Sequence, residues 1–396
     1  MNNLASTIVF YSPNVNTPGG SLILFARLAE KLIAEDEYPI KIIDFEHGYI
    51  RNFLRNKNYT FITFNKEKKT TLNKNDILIC GLADIGQLED FFIFNPETRL
   101  FFWELGPYSL IQRNLILGNY YKKLSLHKAK VISNILEGQR KKRLREFLKK
   151  STFLHGLFFM CGKNVYYNNY FFESDIAPNY LPIPIIIKNN RTQPKTKITS
   201  RKEINIAWLS RLTKGKTRPL FKLINDIEQY QNFDTNFKIR VYIIGDGKEC
   251  KTIKEYTTEH KTDIVFTGII EHEKLSDFLQ ENIDIGIAMG TSALEFASIG
   301  IPTVLSVGEN TLKDEVYLNQ NYKWIFDSEK YNLSSEPYLT KQKSLKSFND
   351  LIFEFLQQKS ELSHKTYKYI HGNHDFEIIT SKIKEYINLN RFTYNE

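Results

Sequence analysis

The chain of 396 residues carries 54 Lys+Arg against 45 Asp+Glu, a net charge of +9, with 42% hydrophobic and 25% charged residues; these globular values exclude a disordered or fibrous chain, and the length suits two domains. Its three cysteines, Cys80, Cys161 and Cys250, are widely scattered with no CxxC pair, which argues against a disulfide scaffold or structural zinc and for a reducing compartment. The N-terminal stretch has no basic n-region and no segment approaches the roughly 18 apolar residues of a spanning helix, so a soluble cytoplasmic protein is expected.

The first half alternates strands with helices. STIVFYS is a short β-branched and aromatic run that ends in NTPGG, and SLILFARLAEKLIAE follows with helical periodicity. IKIIDF, YTFITF, DILICG and TRLFFWE read as later strands, each close to continuously apolar, the pattern of parallel strands covered by helices on both faces. Between Ile187 and Glu203 the composition turns polar and basic, without apolar periodicity, and reads as a linker or exposed loop. The rhythm then restarts. INIAWLS, IRVYIIG, DIVFTG, IDIGIA and IPTVLSV read as strands, with helices near 217–231, 249–260, 273–281 and 292–299, and one more amphipathic helix from about Asn373 to Leu389. The expected fold class is α/β, two Rossmann-like βαβ domains facing across a cleft: an acceptor-side domain over 1–187, a basic linker over 188–203 and a donor-binding domain over 204–396, with the last helix free to pack back on the N-terminal domain.

The charge is uneven. Residues 105–163 hold 13 Lys/Arg against 2 Glu, and residues 188–202 hold 6 Lys/Arg and no acid, so the remainder of the chain is net acidic. The densest cluster is Arg140, Lys141, Lys142, Arg143, Arg145, Lys149 and Lys150, opposed by Glu146. No zinc finger, RNP-type aromatic motif or recognition helix accompanies it, so nucleic acid is not expected as a partner. Leu144, Phe147 and Leu148 recur at i, i+3, i+4 within it. Two readings stay open: docking on an anionic membrane surface, or a solvated helix whose stripe packs inward on its own domain.

Four segments fall where a strand ends and a helix begins, the place where free backbone N–H groups meet anionic ligands. Thr17-Pro18-Gly19-Gly20-Ser21 lets backbone approach a ligand closely, although a tight turn explains its glycines equally well. Ser210-Arg211-Leu212-Thr213-Lys214-Gly215-Lys216-Thr217 places Arg211 and Lys216 where both can converge on a diphosphate. Gly245-Asp246-Gly247 lacks the third Gly of a dinucleotide fingerprint and reads as a structural turn. Met289 to Glu295 puts small residues at a helix start, with Glu295 one turn in; here Ser292-x-x-Glu295 also fits a capping box, which would occupy both side chains internally.

In their order and spacing, SRLTKGK, IIGDGKE, IVFTGIIEHEKL and GTSALEFASIGIPTV resemble the donor-binding domain of glycosyltransferases with the GT-B fold, particularly the family-4-type group. The resemblance covers residues 204–310 well and is thinner over 7–34. It implies that Arg211 and Lys216 hold the diphosphate of a nucleotide sugar, that Gly290, Thr291 and Ser292 sit against phosphates or sugar, and that Glu295 binds the ribose. By the same resemblance, backbone from Gly268 to Ile270 meets the base, and Gly19 and Gly20 approach the phosphates from the other domain. One departure stands out: where the family pattern has a further Glu, associated with the transferred sugar, this chain has Ile287.

The nucleotide sugar would be a substrate, with no cofactor and no metal site expected. Positive charge must then neutralise the departing diphosphate, the work of Arg211 and Lys216. An inverting enzyme also needs a base at the acceptor hydroxyl; Glu104, at the end of RLFFWE, is the first candidate and Asp84 the second, each with loop capping as its competing role. The expected function is transfer of a sugar to a glycan or lipid-linked acceptor in bacterial surface polysaccharide synthesis, in the cytoplasm and peripheral to the membrane. The alternatives are a nucleotide-sugar epimerase of similar fold and a non-catalytic partner subunit, the latter motivated by Ile287.

Overall fold

A computed structural model describes residues 6–14, 20–187, 203–233, 237–306, 322–334 and 345–396. Of the expected linker over 188–203, residues 188–202 lie outside the described residues, as does Gly19 of the GG turn, while Glu203 opens a strand. Two compact units emerge, one of Met1–Pro184 together with Glu377–Glu396 and one of Ile185–Phe376.

The first unit contains β1 (Thr7–Tyr11), β2 (Ile40–Asp44), β3 (Thr60–Thr63), β4 (Thr70–Leu72), β5 (Asp76–Gly81), β6 (Phe92–Phe94), β7 (Arg99–Glu104) and β8 (Leu157–Phe159). Six of these form a parallel sheet in the order β3-β2-β1-β5-β7-β8, while β4 and β6 pair separately. Alternate residues of each strand feed two different cores, because successive side chains point to opposite faces. Ile8, Phe10, Ile77, Ile79 and Trp103 join one, and Val9, Leu78, Cys80, Leu100 and Phe102 join the other. Both faces are covered, which is why the strands read as unbroken apolar runs.

The helix Phe376–Leu389 sets Ile379, Ile383 and Ile387 at i, i+4, i+8 into the core that holds Ile8, Phe10 and Trp103. The tail continues along β7. Leu100 N donates to Phe392 O at 2.9 Å, Asn390 Nδ2 to Leu100 O at 3.0 Å and Arg99 Nη1 to Ile387 O at 3.0 Å. The Phe392 ring lies against Phe102 and Phe147, and a Cβ on Gly156 would stand 2.4 Å from the Phe392 side chain, so the ring seats only over glycine.

The second unit contains β9 (Glu203–Leu209), β10 (Lys238–Ile244), β11 (Asp263–Gly268), β12 (Ile285–Ala288), β13 (Thr303–Ser306) and β14 (Tyr322–Trp324), in the order β11-β10-β9-β12-β13-β14. All neighbours are parallel except β13 and β14. A long helix, Phe348–Asn373, opens with a capping box between Ser347 and Asp350 and contributes Leu351, Ile352, Phe355 and Leu362 to the core. No described helix is long and apolar enough to cross a membrane.

Candidate functional site

In an open parallel sheet the strand order reverses at one place, and the loops leaving the carboxyl ends of the two flanking strands diverge there to leave a crevice. In the second unit that place is between β9 and β12. The loop after β9 is Ser210 to Thr213, and the loop after β12 is Met289 and Gly290; both run into helices, Lys214–Phe233 and Thr291–Ser298.

The loop after β9 is latched to the turn after β10. Ser210 N donates to Ile244 O at 3.1 Å, Leu212 N to Asp246 O at 3.0 Å and Glu249 N to Leu212 O at 3.2 Å. Such close approach requires the two glycines. A Cβ at Gly245 would lie 2.1 Å from Ser210 O and one at Gly247 2.2 Å from Leu212 O, and Gly245 also has φ +126°. Trp208 Nε1 donates to Ser210 Oγ at 2.8 Å, which fixes the start of the loop. The carbonyl of Thr213 accepts from Lys216 N at 2.7 Å and Thr217 N at 3.2 Å as the helix begins. Arg211 is exposed and makes no ion pair among the described residues; Lys216 is half-buried in the first helical turn.

Gly268, ending β11, and Gly290, following β12, both have positive φ, +70° and +64°. A Cβ built on either meets nothing within 4 Å, so conformation and not crowding calls for glycine, and the space above both is open. Gly268 O accepts from Gly245 N at 2.8 Å, Ile269 is exposed and Ile270 half-buried. Gly290 N donates to Leu333 O at 2.6 Å. Gly290 itself is the N-cap of the helix, with no side-chain cap bond, so the capping box read into Ser292 and Glu295 is not formed. Thr291 is exposed, and Ser292 and Glu295 are partly exposed.

Ile287 is a core residue. It is fully buried in β12, paired with Trp208 on one side and Val304 on the other. A carboxylate there would be buried without charge compensation, so the chain offers no counterpart to the family's first Glu.

In the first unit the reversal falls between β1 and β5. Gly20 opens the helix Gly20–Glu35 after β1. Asp84 lies just beyond β5 with a partly exposed carboxylate that pairs with Arg113 Nη1 at 2.8 Å. Burial raises its pKa, and the Arg113 charge opposes that rise.

Glu104 ends β7 and is fully buried. Its Oε2 accepts from Asn168 Nδ2 at 2.7 Å, its main-chain oxygen accepts from Asn164 Nδ2 at 2.8 Å, and its Oε1 has no hydrogen-bond partner among the described residues. Loss of hydration pushes the carboxyl up to about 8, against the lowering effect of the Asn168 bond. Glu104 therefore holds a proton at neutral pH and has to lose it before it can act as a base. The two asparagines that clamp it, at i and i+4 on the helix Gly162–Phe172, are the residues the sequence reading missed, although their spacing puts both amides on one helix face.

The basic cluster forms the helix Gly138–Phe153. Its apolar stripe faces inward: Leu148 is fully buried in the core, with Leu144 and Phe147 packed against it. Lys141 is a correction to the surface set. It is 5% exposed, donates to Asn134 Oδ1, sits 4.3 Å from the Phe171 ring centroid and is lowered to about 8 by burial. Arg140, Lys142, Arg143, Lys149 and Lys150 are exposed and Arg145 half-exposed, with Lys150 paired to Glu396.

No family model matches the chain, and no curated protein matches it in sequence. Solved structures do match over nearly its whole length. HepE from Anabaena, in complex with UDP and glucose, is 13% identical, with 97% of this chain and 99% of that one covered and a TM-score of 0.51. The lipopolysaccharide outer core galactosyltransferase WaaB, in its apo form, is 13% identical with coverage of 96% and 99% and a TM-score of 0.52. The N-terminal domain of the Candida albicans trehalose-6-phosphate phosphatase is 11% identical with coverage of 98% and 97% and a TM-score of 0.54. The chain thus has the two-unit GT-B fold.

Proposed function

We propose that the chain is a glycosyltransferase that moves a sugar from a nucleotide-sugar donor to a glycan or lipid-linked acceptor in bacterial surface polysaccharide synthesis. The observation that carries this reading is the carboxyl end of the second unit's sheet, where an exposed Arg211 shares one edge with two open, positive-φ glycines. An anion there meets the charge of Arg211 and Lys216 and the N–H groups of Thr291 and Ser292. On this reading Glu295 binds the ribose and backbone from Gly268 to Ile270 meets the base.

During transfer the bond from the sugar's anomeric carbon to the diphosphate oxygen breaks, and Arg211 and Lys216 neutralise the departing charge. The acceptor oxygen bonds the anomeric carbon and gives up its proton. On an inverting course Asp84 is the better-suited base, because its carboxylate reaches solvent and Arg113 favours its ionised form, while Glu104 is a protonated group held behind the strand end. Arg140, Lys142, Arg143, Arg145, Lys149 and Lys150 would face an anionic membrane surface.

The test is a thermal-shift panel of UDP-, GDP-, dTDP- and CMP-sugars, followed by product analysis with a lipid-linked acceptor. Stabilisation by one nucleotide class is expected; no shift with any of them overturns the donor reading.

A further inference from the structure

Large exposed apolar side chains gather in one place on the first unit. Ile116, Leu117, Tyr120, Val131, Ile135 and Leu136 all fall within residues 116–136, and Ile116 and Ile135 are 76% and 78% exposed. On the helix Leu126–Leu136 the inner face is occupied by Ala129, Ile132 and Ser133, so Val131 and Ile135, at i and i+4, stand on the outer face. Glu137 joins the two parts of the patch. Its buried carboxylate accepts from Ile116 N at 2.8 Å and Leu117 N at 3.0 Å, which ties that loop to the end of the helix carrying Ile135 and Leu136. Gly118 lets the loop tuck in, since a Cβ there would lie 2.3 Å from Ile111 O. The patch is therefore held by the fold and does not depend on a flexible tip.

Its surroundings are cationic. Lys123, Lys128, Arg140, Lys142 and Arg143 are exposed; Glu137 is buried beneath the loop, and the exposed acids nearby are Glu146 on the next helix and Glu173, which pairs with Lys130 at 3.0 Å. An apolar patch whose rim is mostly cationic fits a surface of opposite charge over a hydrocarbon layer. We infer that Ile116, Leu117, Val131, Ile135 and Leu136 are the elements that enter the interface of an anionic lipid bilayer. The stripe Leu144, Phe147 and Leu148 is already committed to the protein's own core. This deepens the membrane reading above and rests on it.

The test is co-sedimentation of the full chain, without sugar nucleotide, with vesicles of phosphatidylcholine alone and of phosphatidylcholine mixed equally with phosphatidylglycerol. The wild type binds the mixed vesicles and not the neutral ones. The double variant Ile116→Ser, Ile135→Ser keeps its urea transition, because both side chains are solvent-exposed, and loses at least about tenfold in vesicle affinity. Wild-type binding that the double variant retains in full, while Arg140→Gln, Lys142→Gln, Arg143→Gln abolishes it, overturns the insertion site and leaves a purely electrostatic contact. No wild-type binding to mixed vesicles overturns both the insertion site and the membrane reading. A wild-type dimer in solution that the double variant converts to monomer, with vesicle binding unchanged, assigns the patch to a second copy of the chain and also overturns the proposal. Donor binding is read separately by the nucleotide-sugar panel, so its failure leaves this result standing.

Discussion

Replacing Glu104 by glutamine should make the protein more stable at alkaline pH and almost unchanged at acid pH. The carboxyl is fully buried with Oε1 unpartnered and titrates at about 8, against an ordinary 4.5. A carboxyl raised on folding binds a proton that the unfolded chain has already released, so its contribution is fully present below pH 4.5 and is lost as pH rises through about 8. The slope between those limits is about 1.4 kcal/mol per pH unit, and the whole loss is on the order of 4 to 5 kcal/mol. The amide of Glu104→Gln matches the neutral acid in shape and can still accept from Asn168, but it has no proton to lose. The measurement is native-state hydrogen exchange of peptides spanning β7 between pH 5.5 and 8.5, which reports the first unit separately from the second. Wild type should weaken steeply across that range while Glu104→Gln stays flat for this contribution. Parallel pH profiles would refute the reasoning, because they would mean that Glu104 is hydrated and ionised in the folded protein.

Arg211→Ala should leave the urea transition in place and weaken nucleotide-sugar binding about 10- to 150-fold, the value of one charge-assisted hydrogen bond; unchanged affinity in calorimetry removes Arg211 from the donor site. Asp84→Asn should lower kcat about 10²- to 10⁴-fold with little change in donor KM, and an unaltered kcat excludes Asp84 as the base. Gly245→Ala forces a Cβ to 2.1 Å from Ser210 O at φ +126°, so the second unit should lose at least about 2 kcal/mol, read as an earlier urea midpoint. Ile383→Ala empties a fully enclosed seat beside Ile8 and Trp103 and should cost the first unit about 2–5 kcal/mol; exchange protection in β1 reports it, and undiminished protection contradicts the packing described.

The long strands of both sheets were legible because residues on both faces are buried, which writes continuous apolar runs such as DILICG and RLFFWE. Strands β4, β6, β8 and β14 span three residues each, too few to show a period. The apolar period of the last helix was visible, but which sheet face it fills is set by contacts hundreds of residues away. Two burials had signals in the sequence that were there to use. Lys141 lies at i, i+3 and i+7 with Leu144 and Leu148, hence on the buried face, and Glu104 alternates with Phe102, hence toward the same core. In the second unit the strand-to-helix loops were readable from sequence. The hold of Leu333 on Gly290 was not, since it comes from a distant segment without regular structure.

The tail that closes the first unit also sets an order of assembly. Arg99 and Asn390 are joined across 291 positions, and residues 377–396 emerge from the ribosome only after the whole second unit has been made. Until then the seats of Ile379, Ile383 and Ile387 on one face of the sheet, and of Phe392 on the other, stand open to water. The second unit takes its residues from one continuous stretch, Ile185–Phe376, and can complete its core during synthesis, whereas the first waits on its most distant contacts. A nascent chain stalled before Glu377 should therefore expose a sticky surface on the half that was translated first.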